Sequence, residues 1–224
     1  MTGLLEYDLG GGVRAFTAGR DVQLPCSVVQ PHQTHSTVVA HVDRPGLTRE
    51  ELEGVDALVT ELPDVAIGVR TADCIPVLLY DPVHRAIGAV HSGWRGTVNK
   101  ISKKTVMEMC RLFGTHPEDI RAVIGPGIGY DSFQVGEEVS LTFKESGFPI
   151  DKIWSFRGAR KEGSMEGGHH IDLKECVRFS LSECGVPLSN ILVSGIDTYT
   201  DDRFYSARRE GISCGRNINA IMLV

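Results

Sequence analysis

Apolar residues along the chain fall into short runs, several with the two-residue period of a strand and a few with the spacing of a helix. Residues 13–17 (Val-Arg-Ala-Phe-Thr) alternate, and residues 36–42 are β-branched, so both predict strands. Residues 47–52 predict a short helix stopped by Gly54. Residues 67–69 and 77–80 predict two strong strands, and Asp81-Pro82 turns the chain into a third at 86–91, made mostly of small residues. Ser92-Gly93-Trp94-Arg95-Gly96 breaks that run. From Thr97 to about Phe113, Val98, Ile101, Val106, Met109, Cys110 and Phe113 recur at helical spacing, with Gly114 as the stop.

Residues 122–124 predict a strand closed by Gly125-Pro126-Gly127-Ile128-Gly129. A helix is expected from Val135 onward, and another over 171–184 with Asp172 in its first turn and Gly185 after its end. Residues 191–194 and 220–224 read as strands. His169 and His170, after Gly167-Gly168, read as the start of a helix. Such alternation implies an α/β or α+β class in one domain over residues 1–224, with no repeat or linker to divide it.

Composition narrows the function classes. A net charge of −6 argues against a nucleic-acid or anionic-membrane partner. No run of about 18 apolar residues offers a membrane span. The first residues, MTGLLEYDLGGG, lack a basic segment and carry Glu6 and Asp8, so no signal peptide is expected. Cys26, Cys74, Cys110, Cys176, Cys184 and Cys214 form no CxxC pair, which suits reduced thiols in the cytoplasm.

The chemistry concentrates in "RTADCIPVLLYDP" and "AIGAVHSGWRGT". Cys74 and His91 stand at strand-to-loop boundaries at similar distances from the Asp81-Pro82 turn. Antiparallel pairing would bring them to one sheet edge. His32 or His35, in Pro31-His32-Gln33-Thr34-His35, would complete a Cys/His/His set. Two imidazoles and a thiolate suit zinc, with an open fourth position for water or substrate. Two other readings stay open on these residues alone: a buried structural thiol at Cys74, and a nucleophilic Cys74 with His91 as its base and Asp73 as orienter. The glycines at 10–12 read as turn residues, whereas those at 125–129 could line a pocket with backbone N–H groups. Arg208-Arg209 and Arg216 read as a solvated hairpin turning near Glu210-Gly211, with anion binding as the functional alternative.

In order along the chain, "HQTHSTVV", "DALVT", "RTADCIPVLLYDP", "AIGAVHSGWRGT", "VIGPGIG…FQVGEEV" and "RFYSARREG…GRNINAIML" closely resemble the multicopper polyphenol oxidase (laccase)-domain family, now regarded as purine nucleoside phosphorylases. The resemblance implies a mixed α/β fold of sandwiched sheets with flanking helices, similar to that of bacterial toxin deamidases with a Cys–His pair. It also implies a zinc ion held by His35, Cys74 and His91, leaving His32 aside. The implied activity is phosphorolysis of adenosine, inosine, guanosine and methylthioadenosine, with adenosine deamination. The substrates would be purine nucleosides and phosphate, and the chain a monomer or homodimer.

In that frame Cys74 and His91 are catalytic as well as ligating. Asp73 is the adjacent candidate proton carrier, and Arg70, Arg208 and Arg209 are candidates to hold phosphate. Rival readings are a Cu2+-dependent phenol oxidase, although the chain has only eight histidines, and a hydrolytic quality-control enzyme of peptidoglycan precursor synthesis. The chain departs from the family pattern in two places. The segment before residue 29 is short and lacks an Asn-Arg pair, and Gly125-Pro126-Gly127 replaces the usual Gly-Pro-Cys.

Overall fold

A computed structural model of the chain describes residues 3–158 and 167–224. Its strands are β1 (Leu4–Tyr7), β2 (Val13–Ala18), β3 (Val28–Val29), β4 (Val38–His41), β5 (Val55–Thr60), β6 (Ala66–Thr71), β7 (Ile75–Asp81) and β8 (Ala86–Ser92). They continue as β9 (Arg121–Ile124), β10 (Gln134–Val135), β11 (Trp154–Arg157), β12 (Gly168–Ile171), β13 (Ile191–Val193) and β14 (Asn217–Leu223). The helices are α1 (Trp94–Val98), α2 (Ile101–Phe113), α3 (Glu137–Glu145), α4 (Ile150–Ile153), α5 (Leu173–Glu183) and α6 (Ala207–Glu210).

The strands form a six-stranded sheet, β13-β9-β7-β8-β5-β4, a five-stranded sheet, β1-β2-β14-β6-β3, and a small sheet, β10-β12-β11. All seven residues of β7 and of β8 are buried. Their faces bury against different partners, which is why these strands read as unbroken apolar runs. Leu78, Tyr80, Ile87, Ala89 and Leu58 pack with Ile67, Val69 and Ile221 of the five-stranded sheet. Val77, Leu79, Val90 and Ala57 pack with Ile101, Val106 and Met109 of α2 and with Cys176, Val177 and Leu181 of α5. The architecture is therefore two mixed sheets face to face with helices outside, the α/β sandwich expected. Among the described residues, no helix is long and apolar enough to cross a membrane.

Several elements differ from expectation. Residues 47–52 form turns. Thr48 and Glu51 exchange the bonds of a helix cap, but Gly54, at φ 74°, swings the chain into β5 before a helix can propagate. The helix expected over 97–113 is two helices broken at Lys100, whose φ is 61°. Lys100 Nζ sits 3.7 Å from the centroid of the Phe148 ring and 3.2 Å from Glu183 Oε2, contacts that fix the break. Gln134 and Val135 pair with β12 before α3 starts. His169 and His170 lie in β12, not at the start of a helix, with His169 packed on Trp154 and Phe156. Asp172 is the N-cap of α5, accepting from the Glu175 N–H at 3.0 Å. Ala207–Glu210 is a helical turn capped by Ser206, not a hairpin. All six cysteines are free thiols.

One buried polar tie joins the central strands of the five-stranded sheet. The Thr17 hydroxyl donates to Asn219 Oδ1 at 2.8 Å, and Asn219 Nδ2 donates to Thr71 Oγ1 at 3.0 Å. Asn219 is fully buried. Asn219→Ala takes the amide partner from both threonines and leaves Thr17 only its bond with the Tyr7 hydroxyl. It should lower stability by about 1–3 kcal/mol, read as a reduced urea midpoint with an unchanged m value.

Candidate functional site

The site lies where β7 begins and β8 ends. Antiparallel register puts Pro76 opposite His91 and Ile75 opposite Ser92, so Cys74 and His91 reach one sheet edge, as the spacing around Asp81-Pro82 implies. β4 lies beside β5 in parallel, and the loop leading into β4 delivers His35 to the same edge. One ligand atom from each of His35, Cys74 and His91 lies within 4.8 Å of the others. His35 Nε2 stands 3.8 Å from Cys74 Sγ, and the two imidazole rings meet edge to face with centroids 4.9 Å apart. His32 is not one of the three: it lines the same cavity and pairs with Glu53.

Asp56 organises the three donors. It stands in β5 one residue before the Ala57–Val90 pair, which sets it across from His91. Its carboxylate is an acceptor, so His91 Nδ1–H donates to Oδ1, at 2.6 Å. That bond fixes the tautomer and leaves Nε2 for the cavity. The backbone N–H groups of Thr34, His35 and Ser36 also donate to Asp56, at 3.0, 3.1 and 2.8 Å. They hold His35 in the left-handed region at φ 62°, an uncommon conformation for a residue with a side chain. Burial alone would raise the Asp56 carboxyl. The His91 bond and charge, with the Ser36 and Thr34 N–H groups, keep it below the usual carboxylate range.

Gly93 answers the need for close approach. A Cβ there would stand 2.9 Å from His35 Cδ2 and 3.0 Å from Cys74 Sγ, so a side chain would push the donors apart. Burial opposes charge on Cys74, yet His91 beside it and hydrogen bonds from both histidines pull the thiol well below its ordinary range. Burial also opposes charge on His91, which the Cys74 thiolate and Asp56 nevertheless raise above the usual imidazole range. Without a cation at the site, the two form a thiolate–imidazolium pair. With one, a soft sulfur and two imidazoles match a zinc donor set, and the half-exposed cavity leaves room for a further ligand. The cavity holds about 600 Å³ and is walled by the three donors together with Gln33, Arg49, Arg70, Ala72 and the loop from Ile212 to Arg216.

The other expected residues divide. Arg70 lines this cavity. The guanidinium of Arg208 donates to the Ser132 and Gln134 carbonyls, and that of Arg209 donates to the carbonyls of Thr198, Tyr199, Asp201 and Phe204. Both side chains clamp loops and neither is part of the cavity wall. Asp73, at φ 87°, accepts from Thr198 Oγ1 on Oδ1 and from the Arg208 N–H on Oδ2, both at 2.7 Å. With both oxygens engaged and its side chain outside the cavity wall, Asp73 positions the loop that carries Cys74. The N–H groups of Gly125, Ile128 and Gly129 are taken within the protein: they donate to Pro76 O, Asp73 O and Asp197 Oδ1. Gly127 is required because a Cβ would stand 2.5 Å from Ile75 Cδ1 and 3.0 Å from Asp73 O. Asp56 and Arg49 were not anticipated. The signal for Asp56 was an acid inside the otherwise apolar run Val55-Asp56-Ala57-Leu58-Val59, all of it buried.

Known proteins are similar to this chain in sequence and in fold. A purine nucleoside phosphorylase of Bacteroides thetaiotaomicron is 44% identical over 208 residues, covering 90% of this chain and 75% of the relative. A protein named adenosine deaminase RL5, from an unknown prokaryotic organism, is 42% identical over 201 residues, covering 87% and 74% of the two chains. The crystal structure of Bacillus licheniformis YfiH, a hypothetical protein, superposes with a TM-score of 0.83 at 28% identity, covering 95% of this chain and 93% of the other. Residues 14–224 match the family model described as multi-copper polyphenol oxidoreductase laccase, and the chain belongs to that family.

Proposed function

We propose that this chain is a zinc-dependent purine nucleoside phosphorylase with adenosine deaminase activity. The observation that carries the reading is the convergence of His35, Cys74 and His91 beside a cavity open to solvent, in a chain whose relatives are named for both activities. His35 Nε2, Cys74 Sγ and His91 Nε2 would hold the metal, and the substrates would be adenosine, inosine, guanosine and methylthioadenosine. When bound, zinc supplies Lewis acidity that makes water a competent nucleophile near neutral pH.

The chain's own residues set the stage for both reactions. Asp56 accepts the Nδ1 proton of His91, so Nε2 is the nitrogen that would bind the metal, releasing its own proton as it does so. The same carboxylate anchors the backbone of His35. Asp73 holds the Cys74 loop against Thr198 and α6. In deamination, water adds at C6 of adenine and ammonia leaves, giving inosine. In phosphorolysis, an oxygen of hydrogen phosphate bonds to ribose C1′ as the C1′–N9 bond breaks, and the proton of hydrogen phosphate ends on the released purine. Both reactions need a nucleoside seated against the same three donors, and the cavity volume falls within the range of small-molecule sites.

The direct test uses protein purified without nickel resin. It should contain stoichiometric zinc, release purine base from adenosine and inosine in phosphate buffer, and convert adenosine to inosine without phosphate. Cys74→Ala should lower both rates by at least about 100-fold. Stoichiometric copper with dioxygen-dependent phenol oxidation, and no purine release, would sink the proposal.

Asp56→Asn keeps the shape but removes the charge. It should weaken zinc binding by about 10–100-fold in competition with a chelating dye, while the far-UV spectrum stays native. In the metal-free chain the lowered Cys74 thiol makes a further difference. Thiolate is present above its lowered pKa and is lost as pH falls through it, so Cys74 should react with iodoacetamide below the pH range of an ordinary cysteine. The buried thiol of Cys176, raised by burial, should stay inert. Mass spectrometry of the modified peptides reads both.

A further inference from the structure

The cavity beside the three donors carries an unbalanced charge. Its wall contains Arg49, Arg70 and Arg216 and, among the described residues, no aspartate or glutamate, in a chain with 29 acidic and 23 basic side chains. Cations gathered on one concave surface raise the local potential and draw an anion to it.

Arg70 is the centre of this group. It lies in β6, and its backbone is gripped on both sides by one side chain. Gln33 Nε2 donates to Arg70 O, and the Arg70 N–H donates to Gln33 Oε1, each at 2.8 Å. The guanidinium itself, half-buried, takes no hydrogen bond or ion pair with any described residue. Burial, and then the like charges of Arg49 and Arg216, pull its pKa below the ordinary guanidinium range.

Sheet register explains why Arg216 joins it. Ile218 lies opposite Arg70 and Asn217 opposite Thr71, so Arg216, just before β14, falls on the face shared by Arg70 and Ala72. Arg216 spends its donors on the carbonyls of Ile212, Cys214 and Gly215, which leaves it a fixed charge. Arg49 reaches the cavity from the turn before β5, with its donors free among the described residues. Glu53, near this turn, is occupied by His32. Gln33 stands two residues from His35, so the grip on Arg70 also sets the distance between the cationic wall and the three donors.

We propose that Arg70 and Arg49 bind inorganic phosphate through their guanidinium forks, with Arg216 as a stationary third charge, and that this phosphate is the co-substrate beside the nucleoside. The co-substrate role rests on the phosphorylase reading above. Planar guanidinium forks match the oxygens of a tetrahedral oxyanion. Arg208 and Arg209, committed to loop carbonyls, take no part.

The test separates binding from turnover. Inorganic phosphate is titrated calorimetrically into the full chain, into Arg70→Gln, Arg70→Lys and Arg49→Gln, and into Arg44→Gln as a control. Arg44 pairs with Glu51 and Asp43 on the surface, outside the cavity. Phosphate affinity should fall at least about tenfold in Arg70→Gln, less in Arg70→Lys, which keeps the charge without the fork, and about threefold in Arg49→Gln. Arg44→Gln should match wild type, and added sodium chloride should weaken wild-type binding. Matched far-UV spectra and melting curves show that the variants are folded. An equal phosphate affinity in wild type and Arg70→Gln overturns the site, as does an absence of phosphate binding to wild type. Adenosine should bind as well or better when phosphate is saturating. Mutual exclusion of the two, or tighter binding of 5′-AMP than of adenosine with phosphate, overturns the co-substrate role and assigns the wall to a nucleotide. Phosphate binding through Arg70 without purine release from wild type overturns the phosphorylase reading and leaves the anion site standing.

Discussion

The carboxylate of Asp56 is fully buried and accepts from four donors: the Nδ1–H of His91 and the backbone N–H groups of Thr34, His35 and Ser36. A buried carboxylate without such partners would be expensive, because its hydration is lost with nothing in exchange. Charge-assisted bonds from every side offset that cost. They also turn one acidic side chain into the joint between two parts of the chain. One part is the interior strand β8, which carries His91. The other is the loop before β4, which carries His35 in a left-handed conformation. Without Asp56, one donor would lose its tautomer and another its backbone geometry.

Everything else in the site accommodates that joint. Cys74 arrives through strand pairing and not through a bond to Asp56, and its loop is tied from the opposite side by Asp73 to Thr198 and α6. Gly93 keeps the space between the imidazole of His35 and the sulfur open. Gly127 lets the loop after β9 lie against the backbone of Asp73 and Cys74. The donors thus rest on the rigid end of a sheet buried on both faces, while the opposite wall of the cavity comes from the loop between α6 and β14. This division suits catalysis: fixed groups on packed strands hold the reactive centre, and a loop frames the substrate.

Charge is distributed with equal purpose. The chain is acidic overall, yet its carboxylates near the site are consumed by neighbours. Asp56 belongs to His91 and the loop before β4, Asp73 to Thr198 and Arg208, and Glu53 to His32. What faces the cavity is sulfur, imidazole and guanidinium. Such a surface offers lone pairs of sulfur and imidazole on one side and positive charge on the other.

Much of this was legible in residue order alone. The apolar runs of β7 and β8, the small residues of β8 and the Asp81-Pro82 turn between them are local patterns, and with them the meeting of Cys74 and His91 followed from counting along two paired strands. The motif blocks added His35 through resemblance. Other features are properties of three-dimensional neighbours. Thr48 and Glu51 carry a helix-cap pattern, but Gly54 and the pull of β5 override it, and Lys100 breaks a helix because Phe148 and Glu183 receive it. Arg208 and Arg209 look like anion binders in a string of letters, yet carbonyls from distant loops claim them. Arg70 looks no different, and only the absence of an acceptor among its packed neighbours sets it apart. Periodicity reports which faces are buried, because burial of a strand or helix is a local matter. Which acid meets which donor depends on contacts between residues far apart in the chain, and those exist only once the sheets have packed.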